Sequence, residues 1–387
     1  MAQAPAPQQM TPAEINAANI QARRIVTSTA IDAIQPIYTG TFSTSTQPVL
    51  NITPRNVGLL KGFVVVLSVP VNTGAGVTAT RTTLGPACAL SQVVFNDLNN
   101  NVRVNTTGWH LWLLNSARRR RLSGSQYTVD SPVTLSTVGG GIAAPSSIAP
   151  SSSGTVQMVY EIPIAYSNDD LRGAIYSAVV SASMNLQLTI NPSFIIASGS
   201  NATQAVYSSA GGLATLGNMT ITVYQQYLDQ LPMTPSGPLL PLKDLSTLYL
   251  VNNTNLTGLA LSNDFPMPYA NFRDFLSTTV VYDNGGTLTA AGTDINYWLL
   301  QSANFTNIFK LDRTIQSFNT RNLLGDDFPA GCYYFDHRRK PISTVQFGNM
   351  SLIVNPALVN TNAAMLVGYE SFGSLGDVIG AASIAGG

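Results

Sequence analysis

From about Thr41 onward, apolar and polar positions alternate in short runs rich in valine, isoleucine, threonine and tyrosine, broken by glycine, proline and asparagine. Lys61–Val69 (KGFVVVLSV), Val156–Tyr166 (VQMVYEIPIAY), Asn185–Ile190 (NLQLTI) and Met219–Tyr227 (MTITVYQQY) predict strands, because a period of two puts alternate side chains on a core and toward solvent. Thr278–Tyr282 (TTVVY) runs into Asp283-Asn284-Gly285-Gly286, a hairpin signal, since Asn-Gly takes up the positive φ angles that match strand twist. Helical patterns of about 10–15 residues do not recur between the strands, which excludes a parallel α/β sheet.

One long helix is legible before the strands. Thr11-Pro12-Ala13-Glu14 combines a capping box with proline at the first helical position, where no amide hydrogen is needed. Ile15, Ala18, Ala22 and Ile25 follow at spacings of three and four as a narrow apolar stripe, with Arg23 and Arg24 at its edge, and Pro36 ends the pattern. Residues 1–40 are therefore expected to form an arm.

A faint internal repeat divides the rest. Pro163 and Tyr166 (IPIAY) precede a strand ending at Asn191-Pro192, and Pro329 and Tyr333 (FPAGCYY) precede one ending at Asn355-Pro356, at nearly equal separations. Each unit closes with an aromatic-bearing strand, Thr220–Tyr227 and Ala364–Tyr369. Between the units, Leu231–Pro238 (LPMTPSGP) carries prolines and a glycine that cannot sit inside a sheet. The expected division is a first barrel over 41–237, a second over 238–372, and a tail over 373–387. The first unit is longer through Ser136–Gly154 and Ala197–Gly212, which read as long loops of the functional or mobile kind.

The 387-residue length suits two such domains. Hydrophobic residues make up 45% but charged residues only 10%, and 19 basic against 19 acidic residues leave a net charge of +0. Identical copies of such a chain can pack closely without self-repulsion, and the chain as a whole is not expected to bind nucleic acid. The start, MAQAPAPQQM, lacks the basic and apolar regions of a signal peptide, and no apolar run is long enough to span a bilayer. Synthesis and folding in the cytoplasm are expected. Cys88 and Cys332 read as reduced, buried apolar residues.

Candidate chemistry is sparse. His110 and His337 have no second His or Cys at ligand spacing, so neither a metal nor a cofactor is expected. Cys332, Asp336 and His337 are neighbours in a strand-like run, whereas groups that cooperate in a thiol site are normally brought together by the fold. Glutamate occurs only at Glu14, Glu161 and Glu370, too few to suggest the paired carboxylates of a glycosidase. Gly139-Gly140-Gly141 lacks the Lys-Ser/Thr of a phosphate loop. Arg118-Arg119-Arg120-Arg121 is the one conspicuous charge cluster; as a loop it suits a neighbouring subunit or lipid phosphate. No catalytic residue is assigned.

Several stretches read together resemble a family. Asn56–Val64 (NVGLLKGFV), Thr107–Leu111 (TGWHL), Pro163–Ser167 with Asp170-Leu171, Tyr224–Pro232 (YQQYLDQLP), Pro241–Tyr249 (PLKDLSTLY), Asp283–Gly286, Gly292–Tyr297 (GTDINY) and Gly348–Pro356 resemble, in this order, the major capsid protein of tectiviruses, tailless phages with an internal membrane. The likeness runs from the helix through Phe372; the loops, Arg118–Arg121 and the tail depart from it. It implies an all-β chain of two tandem eight-stranded jelly rolls, a trimer with a pseudo-hexagonal outline, and a place in the icosahedral shell of the virion around membrane and genome. It further implies self-association, contact with vertex and minor capsid proteins, and no enzymatic activity or direct genome binding. Ile15, Ala18, Ala22, Arg23, Arg24 and Ile25 on the arm would then meet the inner membrane or adjacent capsomers. The competing expectation is a jelly-roll lectin or receptor-binding spike, which uses the same fold and long loops but never tiles.

Overall fold

The computed structural model describes residues 10–43, 49–123, 142–179, 182–199, 204–257, 263–266, 273–284, 288, 295–303, 307–324, 328, 331–357, 359 and 363–374. The chain folds as two jelly rolls. In the first, strands Ile31–Phe42, Met219–Asp229, Leu59–Asn72 and Ser153–Pro163 lie side by side in that order, and Val49–Ile52, Asn185–Ile190, Leu90–Asn96 and Val102–Thr106 form the opposing sheet. In the second, the order is Thr247–Thr257, Ala364–Ser374, Asp274–Asp283 and Cys332–Asp336, opposed by Asn263–Pro266, Met350–Pro356, Ile295–Ser302 and Phe309–Asp312. Taken in chain order, the eight strands of one barrel occupy the same places as those of the other. Each barrel also inserts a helix between its fifth and sixth strands, Gly108–Ser123 in the first and Arg313–Leu324 in the second.

The barrels share a sheet. Val102–Thr106 pairs in parallel with Thr247–Thr257 through Val104↔Val251 and Asn105↔Asn252, which fuses one sheet of the first barrel to one of the second. Within the first barrel the alternation seen in the sequence is literal: Val65, Leu67, Val69 and Val71 are fully buried, and the residues between them are half-buried. At the seam both faces of a strand are covered. Val280 and Tyr282 face the second core, built around Trp298, while Leu276 and Val281 of the same strand join the cluster that continues into the first barrel.

The repeat survives in its last two strands. Asn185–Ile190 and Met350–Pro356 are equivalent, as are Met219–Asp229 and Ala364–Ser374. Pro163 ends its strand, whereas Pro329 comes before Cys332–Asp336 in the chain and lies outside the described residues, so that pair is not equivalent.

Four expectations are corrected. The arm does not extend to residue 40, because Ile31–Phe42 is the first strand of the first barrel, paired from Ile31↔Asp229 to Phe42↔Met219 with a register shift at Pro36/Tyr38 where proline offers no amide hydrogen. Among the described residues no strand follows Tyr282 as a hairpin partner beyond the single antiparallel bridge Asp283↔Leu288, and Ile295–Ser302 pairs in the opposite sheet; residues 285–287 and 289–294 lie outside the described residues. The surplus of the first barrel is not loop alone. Ile195–Ala197, Tyr207–Ala210, Thr78–Arg81 and Ser147–Ile148 form an additional four-stranded sheet, in which the Tyr207 hydroxyl donates to the Pro145 carbonyl at 2.9 Å. Lastly, Arg118–Arg121 is the end of helix Gly108–Ser123 and not a loop.

Candidate assembly site

The arm helix Pro12–Thr29 begins as its sequence dictates: the Glu14 amide donates to Thr11 Oγ1 at 3.3 Å and the Thr11 amide to the Glu14 carboxylate at 2.7 Å. Its buried face is Asn19, Ala22 and Val26. Of the apolar stripe, Ala22 docks on the body of the molecule while Ile15, Ala18 and Ile25 stay exposed. Arg23 does not point freely outward. It lies 3.2 Å from Asp170 and 3.4 Å from Asp244, while Asn19 donates to Asp244 at 2.9 Å and accepts from the Lys243 amide at 2.9 Å. Burial raises the Asp244 carboxyl, whereas at Asp170 burial is outweighed by the hydrogen bonds and charge of Arg172 together with the charge of Arg23, and the carboxyl is lowered. Arg24 is exposed.

A second polar cluster fills the seam. Helix Gly108–Ser123 buries Trp109, Leu111, Leu113, Leu114 and Ala117 in the cluster shared by the two barrels. At its far end the Arg118 guanidinium sits 5.4 Å from the ring centre of Tyr166 and 5.5 Å from that of Tyr249, within cation–π range. Tyr249 donates to Glu370 at 2.8 Å, Ser277 donates to it at 2.7 Å, and Arg338 meets it at 2.6 Å. Arg172 caps the group over Phe372 at 4.2 Å. Burial alone would raise the Glu370 carboxyl, but Arg338, then Arg118, hold it down at about 2. Arg118 is thus engaged in joining the barrels. The side chains of Arg119, Arg120 and Arg121 lie outside the described residues.

The candidate nucleophiles are placed deep. Neither cysteine is in a disulfide and both are buried, and burial pushes their thiols up, Cys88 to about 12. His110 is buried beside the Gly368 backbone with Nδ1 at 2.6 Å from the Thr106 hydroxyl, and burial lowers it to about 4. His337 stacks on Phe309 and is also lowered to about 4 by burial. Among the described residues no group of three His, Cys, Asp or Glu side chains could hold a metal, and no helix is long and apolar enough to cross a membrane. Sequence reasoning missed Arg338, Tyr249 and the role of Glu370; the one signal was a glutamate amid the aromatics of YESF in an otherwise apolar strand.

Two barrels of one strand order, fused side by side through a shared sheet, define the double jelly-roll class of viral coat protein. Chains of this fold include a major capsid subunit described as the STIV MCP (TM-score 0.60, 12% identity, 88% of this chain and 97% of that one) and a chain of Sulfolobus Turreted Icosahedral Virus (TM-score 0.63, 11% identity, 89% and 91%). In sequence, residues 2–231 match the model of the P3 major capsid protein N-terminal region and residues 246–386 that of its C-terminal region. The major capsid protein P3 of Enterobacteria phage PRD1 is 40% identical over 390 residues, covering 98% of each chain. The chain belongs to this P3 family of tectivirus major capsid proteins. Its function is that of a structural capsid protein and its place is the virion.

Proposed function

We propose that three copies of the chain form a trimer of pseudo-hexagonal outline that tiles an icosahedral shell around an inner membrane and the genome, and that the chain catalyses nothing. The observation that carries this reading is the equivalence of the two barrels: three chains then present six similar edges, which suit a hexagonal lattice. The arm helix and the neighbouring residues supply the lattice-dependent contacts. Ile15, Ala18 and Ile25 are exposed and apolar, and Arg24 is a free-facing cation beside them, a combination that suits the membrane interface or an adjacent capsomer. Ala22 and Arg23 serve that role indirectly by holding the helix in place. The phosphate or neighbour contact expected of the arginine cluster falls to Arg119, Arg120 and Arg121, since Arg118 is engaged in the seam. Vertex and minor capsid proteins meet the assembled edges.

Native mass and electron microscopy of the purified 41.0 kDa chain test the reading. A stable trimer of hexagonal outline that forms sheets or shells supports it. A monomer, or a trimer that stays dispersed and binds glycans, replaces it with the lectin or spike alternative.

A further inference from the structure

The arm helix and the cluster between the barrels meet in one short turn. Residues 166–173 are closed by the Tyr166 amide donating to the Arg172 carbonyl at 2.9 Å and the Ser167 amide to the Asp170 carbonyl at 3.1 Å. On one side the turn serves the arm: Asp170 takes the ion pair from Arg23, and Leu171 is buried in a small cluster with the arm's Val26. On the other it serves the seam. The Tyr166 ring lies 5.9 Å from that of Tyr249 and 5.3 Å from that of Phe372, and Arg172 sits over the Phe372 ring at 4.2 Å. Gly173, at a φ of +89°, lies directly against Tyr249 Cβ, so the backbone of the turn is itself packed on the seam.

The two sides share one carboxylate. Asp170 Oδ1 accepts from Arg23 Nη1 at 3.2 Å and from Arg172 Nε at 3.0 Å, and Asp170 Oδ2 lies 2.6 Å from Arg172 Nη2. Asp244 stands beside them with its side chain 5% exposed; its Oδ2 accepts no hydrogen bond and has Arg23 at 3.4 Å as its ion-pair partner among the described residues. Lys243 is exposed and reaches outward to Asn16. With the arm docked, Arg23 and Arg172 therefore face Asp170 and Asp244, two charges of each sign. With the arm lifted, Arg172 is left facing both carboxylates, and a buried charge without compensation is costly. Arg172 already feels the Asp244 charge, so it is drawn toward Asp244 and away from the Phe372 and Tyr166 rings.

We propose that turn 166–173 is a relay that couples docking of the arm helix to the cluster between the barrels: Arg23 in place leaves Arg172 over Phe372, and its departure pulls Arg172 off the ring and loosens Tyr166. The two-state element is the arm, docked or lifted. The proposal rests on the reading that the arm meets lattice-dependent partners; a partner that lifts the arm then also changes the side-chain packing at the joint of that copy. Coupling between two sites is reciprocal, so disturbing the cluster must loosen the arm.

Hydrogen exchange read by mass spectrometry on the purified full chain tests both directions. Arg118 lies over Tyr166 and Tyr249 at the far side of the relay, and Arg118→Met should speed exchange across Pro12–Thr29 at least about fivefold. Arg23→Ala should speed exchange across residues 166–173 by a similar factor. Arg313→Met, which removes a guanidinium from over Tyr333, is the control and should leave the arm at its wild-type rate. An arm that exchanges at the wild-type rate in Arg118→Met, or equally fast in Arg118→Met and the control, overturns the relay. If Arg118→Met fails to fold, Phe372→Leu, which removes the ring under Arg172 and keeps every charge, takes its place with the same expected and overturning results. The measurement involves no assembly, so failure of the relay leaves the arm's lattice role standing, and failure of that role leaves the relay standing.

Discussion

Arg338 Nη2 and Glu370 Oε2 lie 2.6 Å apart, with side chains 5% and 0% exposed, on neighbouring parts of the second barrel that face the first. Around this pair Tyr249, Ser277 and Arg118 gather, drawn from the linker-proximal strand, a central strand and the first barrel's helix. A buried ion pair of this kind is weak evidence for net stability, because desolvation offsets most of the attraction. Breaking one partner is a different matter.

Glu370→Gln is expected to destabilise the fold by about 3–5 kcal/mol, since it leaves the Arg338 charge buried without compensation. Replacing both partners, as Glu370→Leu with Arg338→Met, should recover part of that loss, because the Arg338 charge is gone while Arg118, Tyr249 and Ser277 still lose their carboxylate partner. Denaturant unfolding of wild type and the two variants checks this, and equal destabilisation of single and double variants would contradict it.

Acid should weaken the molecule in two windows. His110 is held neutral, its value lowered from 6.5 to about 4 by burial against a smaller opposing effect of Glu370. The unfolded chain therefore takes up the proton first, and stability falls by roughly 3 kcal/mol as pH drops from about 6.5 through about 4. Glu370 is held ionised, at about 2 against 4.5. Its contribution is complete above the unfolded value and is lost as pH falls from about 4.5 through about 2. Thermal unfolding against pH for wild type and His110→Asn tests the assignment; the slope in the upper window should decrease in the variant and the remainder belongs to His337, which burial also lowers to about 4.

Gly368→Ala is expected to cost about 1–3 kcal/mol by overpacking, because a Cβ there would run into the His110 ring across the seam. In a His110→Ala background the same change should cost much less. Strict additivity of the two substitutions would show that they do not touch.

Arg23→Ala should loosen the arm with little effect on the barrels. Its ion pairs to Asp170 and Asp244 are partly solvated and together worth about 1 kcal/mol, while the Asn19 and Val26 contacts remain. Faster amide exchange across Pro12–Thr29, with an unfolding temperature within a few degrees of wild type, is the expected result; unchanged exchange there would refute the latch.

Some of this was readable from the chain and some was not, for identifiable reasons. The capping box at Thr11 and Glu14 is local, so the helix start is found where the sequence puts it. The alternation of Leu59–Asn72 marks a strand with one solvated face. Helix Gly108–Ser123 escaped notice because it is buried between two barrels and its WHLWLL run shows no polar face to give it a period. Helix Arg313–Leu324 was missed because its buried face mixes Gln316 and Thr320 with Leu324 while Ile315 and Phe318 stay exposed, so its apolar residues follow no single stripe. Arg118 reads in the sequence as part of a loop suited to a neighbouring subunit or lipid phosphate, and only the approach of Tyr166 and Tyr249 places it in the seam.

By itself the sequence determined the β class, the two-unit organisation and the helical start of the arm, since composition, period and spacing are properties of neighbouring residues. Tertiary structure decided that Ile31–Phe42 belongs to a sheet, that Val102–Thr106 pairs with Thr247–Thr257, and that Glu370, Arg338 and Arg118 share one buried site. Those partners are far apart along the chain. Burial and charge pairing depend on which surfaces the fold brings together, and no periodicity records that choice.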